Sequence, residues 1–283
     1  MKRLWSVLLL VVIVLVGGAV AQRTVDAQVL AAPPSGARLV IGAGMSNMSA
    51  GASVPGTEDL TEHPRVFAFY ASHHDYVWSG TYPVFSNRYK LGGGIWRLAK
   101  DPVHLTQTAG VGPMLAMGKA LADALPADTI GLIPCAHAGD DMTAWIPNGL
   151  ALIPCLSRIR EAQQGTGYAT AIGMVFDGGG KDAQTSIAAN AFESRLLGLI
   201  ADVRAEIGDP CLPVVVHELP QGLSPTTYPY ASTVNAALAD IPNATSCAAF
   251  LTSIGKVTIG VHYDAASMHA WGQDDAAALL ALQ

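Results

Sequence analysis

Basic residues are scarce in this chain and nowhere clustered: 16 lysines and arginines stand against 22 acidic residues, for a formal net charge of -6. That balance argues against nucleic acid or an anionic membrane surface as a partner and suits a neutral small molecule or a glycan. The four cysteines, Cys135, Cys155, Cys211 and Cys247, form no C-x-x-C unit and have no nearby pair of histidines. Zinc is therefore not expected, and no other metal or cofactor is called for. Gly42-Ala43-Gly44 lacks the third glycine of a dinucleotide fingerprint, and no acidic ribose ligand follows at a convincing second strand end. There is no internal repeat, and no second long apolar run follows the N-terminal one.

That N-terminal run has the three parts of a secretory signal peptide: basic Lys2 and Arg3, an uncharged stretch from Leu4 to Val16, and small residues ending in Ala19-Val20-Ala21. The stretch is shorter than a membrane span, although an uncleaved anchor is the alternative. The expected organisation is a signal peptide over 1–21, an Ala/Pro/Gly-rich linker over 22–37 and one domain over 38–283. Such a chain is expected to be secreted or extracytoplasmic, in the cell envelope or periplasm, with no stable membrane insertion after cleavage. Removing Lys2 and Arg3 makes the mature chain more acidic. In an oxidising compartment the cysteines can form one or two disulfides; the pairing stays open, as does the alternative of buried thiols.

Five short apolar runs, Arg38 to Gly42, Arg65 to Tyr70, Thr129 to Cys135, Ala171 to Phe176 and Leu212 to His217, are continuous rather than alternating. Strands covered on both faces have this character. Helical patterns follow at about Met114 to Leu125, Leu150 to Gln164, Ala188 to Ile207, Thr233 to Ile241 and Asp264 to Leu282. Strand alternating with helix predicts an α/β fold, a three-layer α/β/α sandwich on a mainly parallel five-stranded sheet. Ligands in such folds gather at the carboxyl ends of the strands.

The first strand runs into Gly42-Ala43-Gly44-Met45-Ser46-Asn47, a Gly-rich turn that presents a hydroxyl where an esterase nucleophile would sit. A serine needs a base for its proton and donors for the oxyanion. The base candidate is His262, just before the last helix. His73, His74, His104 and His269 read as surface or structural residues. Tyr70, His73, His74, Tyr76, Trp78 and Tyr82 form an aromatic group after the second strand, suited to loop packing and, alternatively, to stacking on sugar rings.

In order along the chain, Gly44-Met45-Ser46-Asn47-Met48, Val111-Gly112-Pro113, Ile133 to Gly139 with Trp145 beyond, Phe176 to Asp182 and Ile259-Gly260-Val261-His262 make up a set of blocks. They resemble the blocks of SGNH hydrolases of the sialate O-acetylesterase-like group, which includes carbohydrate esterase family 6. The family sequences are Gly-Gln-Ser-Asn-Met, Val-Gly-Pro, a strand ending in Pro-Cys-Ala before a Gly-Gly turn, Trp-His-Gln-Gly-Glu-Ser-Asp, and Asp-x-x-His. The resemblance runs from about Arg38 to Gly272 and implies a flavodoxin-like SGNH fold. It implies Ser46 as nucleophile and His262 as general base, with Ser46 and Gly139 N–H groups in the oxyanion hole and Gly178 where the family has its glutamine donor. Met45, Asn47 and Asp140 would contact an acylated carbohydrate substrate.

The chain departs from this pattern at four polar positions: Met45 and Gly178 stand for glutamines, Gly180 for the glutamate and Ile259 for the triad aspartate. In a well-studied triad the aspartate fixes the imidazole tautomer, and its loss costs about 10⁴ in rate. Asp177, at a strand end, is the first replacement to test; Asp264 reads as a helix cap and Asp182 as structural. The expected function is therefore removal of O-acetyl or other short acyl groups from a glycan through a serine, with reduced activity. The alternative is an inactive SGNH-fold protein that binds a glycan or protein in the same cleft.

Overall fold

A computed structural model describes residues 36–51, 56–70, 76–79, 82–85, 94–104, 110–167 and 169–283. The predicted signal peptide, nearly all of the linker, and His73 and His74 lie outside them.

A seven-stranded sheet forms the middle layer, in the order β5-β2-β6-β1-β7-β8-β9. Its five inner strands are those read from the sequence: β1 (Arg38–Gly44), β2 (Val66–Tyr70), β6 (Ile130–Pro134), β7 (Ala171–Asp177) and β8 (Val214–His217). All pair in parallel. Two edge strands raise the count from the expected five: β5 (Ile95–Leu98), antiparallel to β2, and β9 (Ala248–Leu251), parallel to β8. A hairpin, β3 (Tyr76–Ser79) with β4 (Tyr82–Phe85), and a second, β10 (Thr258–Ile259) with β11 (His262–Tyr263), lie outside the main sheet.

Alternation along β1 divides the core. Leu39, Ile41 and Ala43 face a cluster shared with α4 (Leu152–Gly165), α5 (Ser186–Ile207) and α6 (Ala231–Ala244). Val40 faces the other side, with α3 (Pro113–Ala124) and α7 (Ala265–Ala281). With both faces covered, β1, β2, β6 and β7 are buried almost throughout, which is why they read as unbroken apolar runs. Tyr70 belongs to this core, its hydroxyl donating to the Lys100 carbonyl and accepting from the Lys100 N–H. His104 is buried too, 3.0 Å from the Gly42 carbonyl, and burial pushes it down to about 3, so it is the neutral ring that donates.

The chain builds β1, then the β2–β6 side, then crosses β1 to build β7, β8 and β9. The crevice at the carboxyl end of β1 is thus a topological switch point, where such sheets bind ligands. The cysteines pair as Cys135–Cys155, tying the end of β6 to α4, and Cys211–Cys247, joining the segments that enter β8 and β9; their Cα separations are 5.0 and 5.5 Å. Among the described residues no helix is long and apolar enough to cross a membrane.

Candidate active site

The end of β1 is clamped on both sides. The Gly44 carbonyl accepts from the His137 N–H at 2.8 Å, and the Met45 N–H donates to the Asp177 carbonyl at 2.7 Å. Gly44 has φ +123°, and a Cβ there would run into the Asp177 backbone, so only glycine fits. From this point the chain turns directly into α1 (Ser46–Ala50), which leaves Ser46 at the helix start, where backbone N–H groups have no intrahelical acceptor.

His262 comes from the far end of the chain and meets this serine. Its Nε2 lies 3.0 Å from Ser46 Oγ. Asn47 holds the histidine in place from both flanks: its Nδ2 donates to the Val261 carbonyl at 3.4 Å and its Oδ1 accepts from the Tyr263 N–H at 3.3 Å. Asn47 is buried and both ends of its amide are engaged by the protein, so its role in the structure is to position His262 as much as to line the cleft. Burial lowers His262 below its ordinary 6.5, with the negative charge of Asp177 opposing the shift. The ring is therefore neutral at pH 7 and able to accept the Ser46 proton at Nε2.

Ser46 opens onto a cleft of about 630 Å³ that is also lined by Met45, Asn47, Gly139, Asp140, Asp177 and Gly178. Leu219, Pro220, Leu223 and Tyr228, from the segment after β8, line it too and carry no sequence motif, nor does Gln184; Lys181 lies within the Phe176 to Asp182 block, where the resemblance implies no role for it. Gly139 has φ +85° in the loop after β6 and borders the cleft. Asp140 pairs with His137 Nδ1 at 2.5 Å. Met45 turns its sulfur to the Gly179 N–H, 3.3 Å away, beside Gly178. The Met45 side chain thus occupies part of the region left by the missing glutamine side chains.

Two other acids have structural partners. Asp264 caps α7, accepting from the Ser267 N–H at 2.8 Å, and Asp182 accepts from the Met142 N–H at 3.1 Å. Burial raises Asp182 to about 7. Among the described residues no carboxylate lies within ion-pair distance of His262. Asp177 instead bonds His217 Nδ1 at 3.1 Å, and His217 Nε2 bonds Asp275 at 2.6 Å. Ile259, opposite His262 in the β10–β11 hairpin, is 61 % exposed. Among the described residues, the side chains with metal-ligand spacing are Glu58 and Asp59 of α2 (Thr57–Leu60) and His269 of α7. They lie away from this cleft, with His269 bonded to Asp59 at 2.5 Å.

Residues 37–281 match the family described as carbohydrate esterase, sialic acid-specific acetylesterase. No curated protein sequence matches the chain significantly. Among solved structures, the chain is similar to a protein from Arabidopsis thaliana, with a TM-score of 0.71 at 18 % identity over 88 % of this chain and 99 % of that one. The structure of NanS aligns with a TM-score of 0.68 at 15 % identity, over 88 % of this chain and 98 % of its own. A carbohydrate acetylesterase from Xanthomonas citri aligns with a TM-score of 0.60 at 18 % identity, over 85 % of this chain and 55 % of that protein.

Proposed function

Since the chain belongs to the carbohydrate esterase family of sialic acid-specific acetylesterases, we propose that it removes acetyl or other short acyl groups from a glycan, with Ser46 as nucleophile and His262 as base. The observation that carries this reading is the 3.0 Å contact between Ser46 Oγ and His262 Nε2 in the cleft at the switch point of the sheet.

In the first step Ser46 Oγ bonds the ester carbonyl carbon while its proton passes to His262 Nε2. The carbonyl oxygen becomes an oxyanion, for which the N–H groups of Ser46 and Gly139 are the donors; in the described structure neither is taken up by another group. Collapse breaks the bond to the sugar oxygen, which leaves with the proton from Nε2. A water activated by His262 then releases the acyl group and frees Ser46.

Turnover should be slow. Each oxyanion donor is worth about 3 kcal/mol, and Gly178 brings no side-chain donor. Among the described residues His262 also has no directly bonded acid. The two disulfides support export into an oxidising compartment, as the N-terminal segment suggests.

The test is labelling with a fluorophosphonate serine reagent together with hydrolysis of an aryl acetate. Wild type should label and turn over slowly, and Ser46→Ala should lose both. Equal, negligible hydrolysis by the two proteins, with equal glycan binding, would instead support a binding protein that has lost its chemistry.

A further inference from the structure

The buried histidine beneath the cleft has no part in the chemistry so far, although its surroundings are built to a specific pattern. His217 ends β8 and is buried, with a carboxylate on each ring nitrogen: Asp177 from β7 at Nδ1 and Asp275 from α7 at Nε2. The Trp271 ring lies flat against the imidazole at 4.0 Å with planes 10° apart, which removes its freedom to rotate. Burying two acids and a base together is costly unless every polar group is paired, so this cluster is weak evidence for stability and calls for another reason.

Proton accounting points to that reason. Two carboxylates facing one imidazole need a proton in each contact; with Nδ1 as the donor to Asp177, the second proton lies between Nε2 and Asp275. Whether that second proton sits on His217 or on Asp275, the three groups together carry one net negative charge, and Asp177 is an acceptor. Burial alone would lower His217, but Asp275 and Asp177 outweigh it and hold the ring up at about 10. Asp177, 4 % exposed, is the member that lines the cleft and acts on His262.

We propose that His217 and Asp275 are positioning residues of the esterase site: His217 fixes the Asp177 carboxylate in the cleft wall, Asp275 fixes the His217 ring, and Asp177 opposes the positive charge that grows on His262 as Ser46 gives up its proton. The relay takes over at longer range the task of the acid replaced by Ile259. It rests on the Ser46–His262 reading above. Of the other charged groups nearby, Asp140 is paired with His137, Asp264 with the α7 N-terminus, Glu218 with Thr252 and Ser253, and Lys256 with Asp274, while Lys181 is the cation that lines the cleft alongside Asp177.

Two substitutions of one residue separate positioning from packing. In His217→Asn the amide nitrogen stands where Nδ1 stood and still donates to Asp177. In His217→Gln it reaches the Nε2 position and serves Asp275 instead. Asp177, buried without a donor, then favours its neutral form, and the negative charge retreats to Asp275.

The full-length protein is assayed on 4-nitrophenyl acetate across pH. His217→Asn should stay near wild type. His217→Gln should lose about tenfold to a hundredfold in kcat with little change in KM, a fraction of the roughly 10⁴ a directly bonded triad acid supplies. Histidine NMR provides a readout without turnover: the His262 titration should move to lower pH in His217→Gln and hold in His217→Asn. A His262 titration that is the same in all three proteins overturns the relay, even if Ser46 labels and turns over. A wild type whose Ser46 never labels overturns the esterase reading instead, and the NMR titration still decides whether Asp177, held by His217, acts on His262.

Discussion

At the scale of single residues, the proposed site brings Ser46 Oγ within 3.0 Å of His262 Nε2, and among the described residues no carboxylate lies within ion-pair distance of that ring. The β10–β11 register pairs Ile259 directly with His262. Side chains opposite each other in such a pair have Cβ atoms about 4.5–5.5 Å apart, close enough for a carboxylate to reach the imidazole. Ile259→Asp should therefore raise kcat/KM by about tenfold or more, within the roughly 10⁴ ceiling for a triad acid, and move the His262 titration to higher pH. Because Ile259 is exposed, thermal stability should change little. A pH–rate profile of this variant that overlays the wild type would mean the carboxylate does not engage the ring. Asn47 is the second residue to test. Asn47→Ala removes two hydrogen bonds that bracket His262, each worth about 1 kcal/mol, and should lower kcat while Ser46 still labels slowly. Ser46 and His262 were legible because their residue types survive in ordered blocks. The clasp by Asn47 was not, because its partners are backbone groups more than 200 positions away.

Among the elements, the hairpin that carries His262 is short and depends on the first turn of α7 for support. The Asp264 N–H donates to the Val257 carbonyl at 3.0 Å, the Val257 N–H donates to Ser267 Oγ at 2.7 Å, and Asp264 caps α7 through the Ser267 N–H. Asp264→Ala should cost about 1 kcal/mol for the lost cap. In a domain of this size that lowers Tm by about 2–4 °C, measurable by calorimetry, and the activity loss should exceed what unfolding explains because the His262 hairpin loosens. The same scale decides what the sequence could reveal. Inner strands, buried on both faces, appear as apolar runs, and long helices carry a clear period. The four-residue edge strands β5 and β9 are only half-buried and exist because a neighbour offers an open edge. The two-residue strands β10 and β11 are too short for any period. One signal for the relay was present: Met268, Trp271, Asp275, Ala276 and Leu279 share the buried face of α7, and an acid on an apolar face asks for a partner. That the partner is His217, 58 positions earlier, only the fold decides.

For the whole molecule, two buried histidines set opposite limits on stability with pH. His104 is held down to about 3 against an ordinary 6.5, so the unfolded chain binds its proton first. Stability is lost as pH falls from about 6.5 towards 3. His217 behaves in the reverse sense. Its proton is held up at about 10 in the fold by Asp275 and Asp177, so its contribution is full below 6.5 and is lost as pH rises from there through 10. On the proposed mechanism activity has an acid limit of its own, because His262 would act as the neutral ring and burial lowers it; the acid limb of kcat should lie below pH 6.5. Calorimetry of wild type and His217→Asn from about pH 6 to 9 isolates the alkaline term. Wild type should lose Tm steadily over that range, whereas the variant, with no imidazole at 217, should start lower and stay flatter. Parallel curves would mean that the proton on the Asp177–His217–Asp275 cluster is no more tightly held in the folded protein than in the unfolded chain, and the charged relay would have to be abandoned.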